Sequence, residues 1–244
     1  MTEWFTDWFD DNYLKFYLLN QSDELTKKQV KFIIDVLDLK EGSKVLDICC
    51  GTGRHLIELS KMGIKGVGID FNKKYIKLAN KNKGKDINLK FLNIDARQID
   101  FENEFDAAVS IWTSFGYFSD DENLNLLKKI NKSLKKNGKL LIDLENIYYL
   151  LNNLPKERWV KKESEYILER NQLNLRSSRL KTERIIINNK NKFEYVRDYR
   201  IYTLSELEIY SLEAGFKLIK FYGGYEKEEL NFSSKRLIVI LEKL

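Results

Sequence analysis

The chain is poor in the residues that carry the commonest site chemistries. Its single histidine, His55, rules out a two-histidine metal site, and no carboxylate cluster at ligand spacing replaces one. The only cysteines, Cys49 and Cys50, are sequence neighbours. That is a poor geometry for a disulfide and too few thiols for a four-ligand metal set, so a reducing compartment, the cytoplasm, is the expected setting. With one proline there is no rigid linker. No apolar run is long enough to span a bilayer, and MTEWFTDWFDDNY lacks the basic region and cleavage site of a signal peptide. No G-x-x-x-x-G-K-[ST] phosphate loop occurs. Nor is there a strong excess of one charge: 42 Lys+Arg against 37 Asp+Glu give +5. Much of it is lysine scattered among asparagines, the pattern of solvated faces, so nucleic acid is a disfavoured partner but an open one.

What is present is apolar material for one domain: 43% hydrophobic and 13% aromatic residues over 244 positions. The first forty residues read as helix. Val30, Ile33, Ile34 and Leu37 share one face of DELTKKQVKFIIDVLDL, and EWFTDWFDDNYLKFYLL before it reads as an aromatic helix. From Lys44, short apolar strands (KVLDI, KGVGID, NLKFLNID, FDAAVSIW, KLLIDLE) alternate with amphipathic helices. These carry their own punctuation: Gly63 closes one helix, Asn72 opens the next, and Ser119 with Glu122 has capping-box spacing. Leu124, Leu127, Ile130 and Leu134 share a face of the helix that Gly138 is expected to end. The rhythm predicts a parallel sheet covered on both faces. After Asn146, RWVKKES, YILERNQLNL, RLKTERIIINN and KFEYVRDYRIYT read as an antiparallel sheet of about fifty residues. A helix opened by Thr203 and Glu206 and closed by Gly215, then two strands, complete the chain.

KVLDICCGTGRH joins a buried strand to a helix through a glycine turn, the arrangement that lets a nucleotide-like ligand approach the backbone and helix N–H groups. Asp47, Asp70 and Asp95 each end a parallel strand, with Asp70 about twenty residues past the glycines, where an acid can accept from both ribose hydroxyls. A dinucleotide fingerprint fails, since GTGRHL has leucine in place of the third glycine.

The run VLDICCGTGRHLIELSKMGIKGVGIDFNKKYIKLA, with NIDA further on, strongly resembles the class I S-adenosylmethionine (SAM) dependent methyltransferases. Their usual loop is D-x-[GA]-C-G-x-G; Cys49 departs from it and Cys50 conforms. The resemblance covers nearly the whole chain. It implies an α/β fold: a seven-stranded Rossmann-like, doubly wound sheet with the last-inserted strand antiparallel. It also implies a single domain over 1–244, with the antiparallel insert 155–203 as lid or substrate wall. The insert resembles that of small-molecule enzymes similar to amino-sugar and glycine N-methyltransferases.

The same resemblance suggests roles. Gly51 and Gly53 would cradle the methionine part of SAM, beside Cys49, with Asp47 at its ammonium. Asp70, followed by Phe71, would hold the ribose. Asp95 would accept from the adenine amino group beside Ala96. Ile111 and Trp112 would lie under the cofactor, and Tyr13 and Tyr17 would close over its carboxylate. Phe115, Glu145, Arg200 and Arg236 are candidate acceptor contacts, with Glu145 the candidate for deprotonating an amine or hydroxyl. Each has a plainer alternative: core for Trp112 and Phe115, a helix–sheet contact for the tyrosines, exposed strand positions for the insert arginines. His55 reads as positional and the cysteines as small packing residues. The implied reaction is methyl transfer from SAM to nitrogen or oxygen of a small molecule, leaving S-adenosylhomocysteine (SAH). An RNA methyltransferase and a non-catalytic SAM- or partner-binding protein remain as rivals.

Overall fold

The computed structural model describes residues 3–85, 88–162, 165–188 and 191–244. Seven strands form the central sheet: β1 (Lys44–Ile48), β2 (Lys65–Asp70), β3 (Leu89–Asn93), β4 (Phe105–Ser110), β5 (Leu134–Glu145), β10 (Phe216–Tyr222) and β11 (Arg236–Lys243). Their order is β3-β2-β1-β4-β5-β11-β10. Neighbours from β3 to β5 are parallel, and β11 runs antiparallel to both β5 and β10. The order reverses beside β1, so the carboxyl ends of β1 and β4 open a crevice.

The strands are apolar on both faces because both faces are covered. On one side α3 (Asp23–Leu37), α4 (Arg54–Ser60) and α5 (Lys73–Asn82) bury Val30, Ile33, Leu37, Leu56, Leu59, Ile76 and Ala79. On the other, α6 (Asp120–Ser133) and α8 (Leu204–Glu213) bury Leu126, Leu127, Ile130 and Leu207. The expected caps are made: Asn72 opens α5, and Ser119/Glu122 and Thr203/Glu206 are reciprocal capping boxes.

Three boundaries differ from the sequence expectation. First, α6 stops at Ser133, not at Gly138. β5 starts at once, and its register against β4 jumps from Phe105↔Leu134 to Ala107↔Lys139. Gly138 sits in the folded-back segment, where a Cβ would lie 2.8 Å from the Lys135 carbonyl, so the glycine serves a bulge and not a helix end. Second, the aromatic N-terminal helix is broken into α1 (Trp4–Trp8), α2 (Asp11–Tyr13) and a wide helical turn over Leu14–Leu18. Asp10 restarts it by accepting from Tyr13 N at 2.9 Å. Third, β3 and β4 are shorter, so Asp95, Ile111 and Trp112 lie in the loops beyond them.

The insert follows α7 (Ile147–Asn153) and is an antiparallel meander of β6 (Glu157–Lys162), β7 (Glu165–Asn174), β8 (Arg179–Ile187) and β9 (Lys192–Arg200). The expected strands also touched residues 163, 164 and 189, which lie outside the described residues. Its inner face receives the N-terminal segment. Trp8 lies under the Arg184 guanidinium at 4.2 Å, and the Tyr195 hydroxyl donates to Asp10 at 2.7 Å. A backbone bond from Arg200 N to the Gly116 carbonyl (2.7 Å) ties the meander to the loop after β4. Gly116 has φ +98°, and a Cβ there would meet the Arg200 carbonyl at 2.4 Å.

Candidate active site

The turn after β1 is built from left-handed residues: Cys49 (φ +60°), Gly51 (+55°) and Gly53 (+77°). Gly53 opens α4, and a Cβ on it would press within 2.5 Å of the Phe91 ring. The two cysteines separate onto opposite faces of the sheet. Cys49 packs partly against the α6 side and Cys50 is buried on the α3 side, its Sγ filling the space left by Gly68. Burial pushes both thiols well above their ordinary range, and nearby Asp47 and Asp70 push the same way. Both therefore stay protonated and act as small apolar residues. His55 is buried, with Nε2 3.0 Å from Gln29 Oε1, and burial drives its pKa well down. It is a neutral packing residue.

The three aspartates face one crevice in different states. Asp47 is almost fully buried, and its Oδ2 has no hydrogen-bond partner among the described residues. Burial pushes its pKa up to about 8, with Asp70 adding to the rise and Arg54 opposing it. Asp70 accepts from Gly51 N at 2.9 Å and Asn72 N at 2.8 Å. Burial still lifts it to about 6. Asp95 caps the turn after β3, accepting from Arg97 N at 2.9 Å and from its guanidinium at 2.7 Å; burial opposes ionisation there, but Arg97 holds the carboxyl below its ordinary range.

Tyr13, Asp47, Cys49, Gly51, Asp70, Phe71, Asp95, Ala96, Ile111 and Trp112 all line this one cleft. Counted out through its open mouth, solvent-filled space included, it holds about 890 Å³. Gly53 stands behind it as a helix cap. Tyr17 stacks on Tyr13 with ring centres 5.0 Å apart, without lining it.

Three acceptor candidates are committed elsewhere. Phe115 is core, packed 5.5 Å from the Tyr202 ring. Arg200 pairs with Glu206 at 2.6 Å and Asp120 at 3.3 Å, stapling β9 to α6 and α8. Arg236 donates to Asp143 at 2.7 Å and to Thr113 Oγ1 at 3.1 Å. Glu145 ends β5 outside the cleft wall and accepts from the Tyr199 hydroxyl.

Several cleft residues escaped the sequence reading: Phe5, Phe9, Leu18 and Tyr117 from the N-terminal segment and the loop after β4, and above all Arg54. The Arg54 guanidinium lies 5.0 Å over the Trp112 ring and donates through Nη1 to Thr26 at 2.8 Å, while its Nη2 is buried with no partner. Its signal was on the page, since GTGRH puts a cation seven residues after Asp47.

Residues 45–138 match the sequence family described as a methyltransferase domain. A demethylmenaquinone methyltransferase of Staphylococcus saprophyticus is 36% identical over 125 residues, 49% of this chain and 52% of that protein. The chain thus spans about half the length of that curated relative. Two solved structures share the fold at low identity. A SAM-dependent methyltransferase from Clostridium acetobutylicum superposes with TM-score 0.78, 17% identity and 98% of each chain covered. SAM-bound CalS10, an amino pentose methyltransferase from Micromonospora echinaspora, gives TM-score 0.70 and 15% identity over 97% of this chain and 98% of that one. Residues 45–138 thus resemble a methyltransferase domain, and the chain has the fold of SAM-dependent methyltransferases of known structure.

The cleft residues fit SAM on their own chemistry. A buried carboxylate oxygen and a buried guanidinium nitrogen, both unpartnered and both lining the cleft, complement the ammonium and carboxylate of an amino acid. Neither NAD nor ATP carries that pair. Arg54→Met is expected to weaken SAM by about 10- to 100-fold, the worth of charge-assisted bonds to one carboxylate. Binding of decarboxylated SAM should hardly change. Calorimetry with both ligands checks this, and equal losses for the two would sink the assignment.

Proposed function

We propose that the protein transfers a methyl group from SAM to a nitrogen or oxygen of a small molecule. The observation that carries the reading is the unsatisfied Asp47 Oδ2 and Arg54 Nη2 in a cleft that also holds Asp70, at the end of β2, and Asp95, in the loop after β3. SAM, when bound, supplies an already activated methyl on a sulfonium. The chain's own task is to bind, align and exclude water.

In this reading Asp47 and Arg54 take the amino-acid end, Asp70 the ribose hydroxyls and Asp95 the adenine amino group. Trp112 and Tyr117 form walls beside the transferred methyl, where aromatic faces favour a cation. Glu145, hydrogen-bonded by Tyr199, is positioned at the end of β5 to take a proton from an amine or hydroxyl as it is methylated. The insert and the N-terminal segment form the acceptor's enclosure: Trp8 packs under Arg184 of the meander, and Tyr13 of the same segment lines the cleft. The SAM-bound amino pentose methyltransferase of the same fold supports a small acceptor of the same general kind.

The test is calorimetric titration with SAM, SAH and NAD on the wild type and Asp70→Ala. Saturable binding of both sulfur ligands is expected, with none for NAD and about 10- to 100-fold weaker binding in the variant. A folded protein that binds neither sulfur ligand would overturn the proposal.

A further inference from the structure

Among the half-buried and buried arginines of the insert and last strand, four are neutralised. Arg179 pairs with Asp198 at 2.7 Å, Arg184 with Glu169 at 2.7 Å, Arg200 with Glu206 and Arg236 with Asp143. Arg197 is the exception. Among the described residues it forms no ion pair, and its Nε is buried without a hydrogen-bond partner. Its guanidinium lies 4.4 Å from the Tyr199 ring and 5.3 Å from the Trp8 ring, and reaches the Tyr199 hydroxyl only at 3.5 Å.

The Tyr199 hydroxyl beside it donates in turn to Glu145, which sets Arg197 near the end of β5. Trp8, its other neighbour, belongs to the N-terminal segment that also sends Tyr13 into the cofactor cleft, so Arg197 stands between that segment and the end of β5. A methyl acceptor has to occupy this same space. Glu145, the one carboxylate there, is engaged by Tyr199 and does not bond Arg197. Burial pushes the Tyr13 hydroxyl up to about 12, so it stays a donor and supplies no negative charge. A guanidinium taken out of water with an unused N–H is costly for the fold. It becomes favourable when a ligand brings two anionic oxygens to its planar fork.

We propose that Arg197 is the anchor for an anionic group of the methyl acceptor, which is therefore a small molecule bearing a carboxylate or a phosphate beside its amine or hydroxyl. The word acceptor rests on the methyltransferase reading; the anion site does not.

The experiment titrates the protein, with and without SAH, with sodium acetate, inorganic phosphate and neutral acetamide. Tryptophan fluorescence is the readout, since Trp8 lies beside the site, and thermal midpoints are followed in parallel. Wild type should bind acetate or phosphate saturably and ignore acetamide. Arg197→Gln should weaken the anion by about 10- to 100-fold with SAH affinity unchanged. Arg197→Lys should restore part of it and guards against a misfolded glutamine variant. Which of the two anions saturates tells carboxylate from phosphate. Equal anion binding in all three proteins, or none in wild type, overturns the proposal. So would a screen of SAH release in which neutral acceptors are turned over as well as anionic ones. Anion binding intact with no SAH binding would instead overturn the methyltransferase reading and leave the anchor standing.

Discussion

Asp47→Asn should raise the thermal midpoint of the unliganded protein at neutral pH while removing SAM binding. Burial lifts the Asp47 carboxyl from 3.8 to about 8. The folded protein therefore holds a proton at pH 7 that the unfolded chain has released. The sign follows directly. A raised folded pKa contributes stability that is complete below about pH 4 and is lost as pH rises through about 8. Asp70, lifted to about 6 by burial, adds a smaller dependence in the same direction.

Asparagine is neutral throughout, so the variant escapes the Asp47 part of this loss. At 1.36 kcal/mol per unit the gain at pH 7 is on the order of 4 kcal/mol, or roughly 8–16 °C in a chain of this size. At pH 5 the gain should shrink to about 1.6 kcal/mol, and near pH 4 the two proteins should nearly converge. SAM affinity should fall by at least ~100-fold, because a buried ammonium would lose its charged partner. Wild-type binding at pH 7 should also release close to one proton, seen as a dependence of the binding enthalpy on buffer ionisation. Thermal melts at pH 5, 7 and 8 with calorimetry decide it. A lower midpoint for the unliganded variant at pH 8, or unchanged affinity, would remove Asp47 from the cofactor site.

Asp143→Ala should be the most damaging single change on the acceptor side. Asp143 is fully buried at the heart of a small network. Its carboxylate accepts from Trp112 N at 2.9 Å, the Tyr225 hydroxyl at 2.5 Å and Arg236 Nε at 2.7 Å, and its carbonyl accepts from Thr113 N at 2.9 Å. Trp112 and Thr113 are held at φ +65° and +59°. A bulky residue and a β-branched one persist there only when the surroundings over-determine them. Alanine leaves a phenol and an amide without this partner, and a guanidinium without its counter-charge, held only by Thr113 and the backbone carbonyl. The expected cost is about 3–5 kcal/mol, lowering the midpoint by roughly 6–20 °C. Trp112 should also leave the cleft wall, so SAM affinity should fall in whatever protein remains folded. Asp143→Asn keeps an acceptor for Trp112 and should fall between. Denaturant melts and SAM titration at 15 °C measure both effects; a loss under about 1 kcal/mol would show that the network is not what shapes the loop.

The alternation of strands and helices was legible because a parallel sheet covered on both faces demands continuous apolar strands, and caps are local chemistry. Asn72, Ser119 and Thr203 act on backbone N–H groups two or three residues away. The aspartates were legible for a related reason: a residue at the carboxyl end of a parallel strand is delivered to the same edge as its neighbours. Gly138 misled because a glycine after a helix reads as a stop, while its actual constraint is the β4–β5 register.

Phe115, Arg200 and Arg236 have partners that the sequence does not display. Each had chemistry suited to a pocket, but Arg236 finds Asp143 from 93 residues away, and Arg200 finds Asp120 only once β9 packs beside α6. The sequence by itself determined which side chains arrive at the open edge of the sheet, since period and capping are written locally. Only the tertiary structure decided which of them are spent on each other and which are left over. Pairing depends on distance in space, and the unspent ones, Asp47, Arg54 and Arg197, are where a ligand has something to complete.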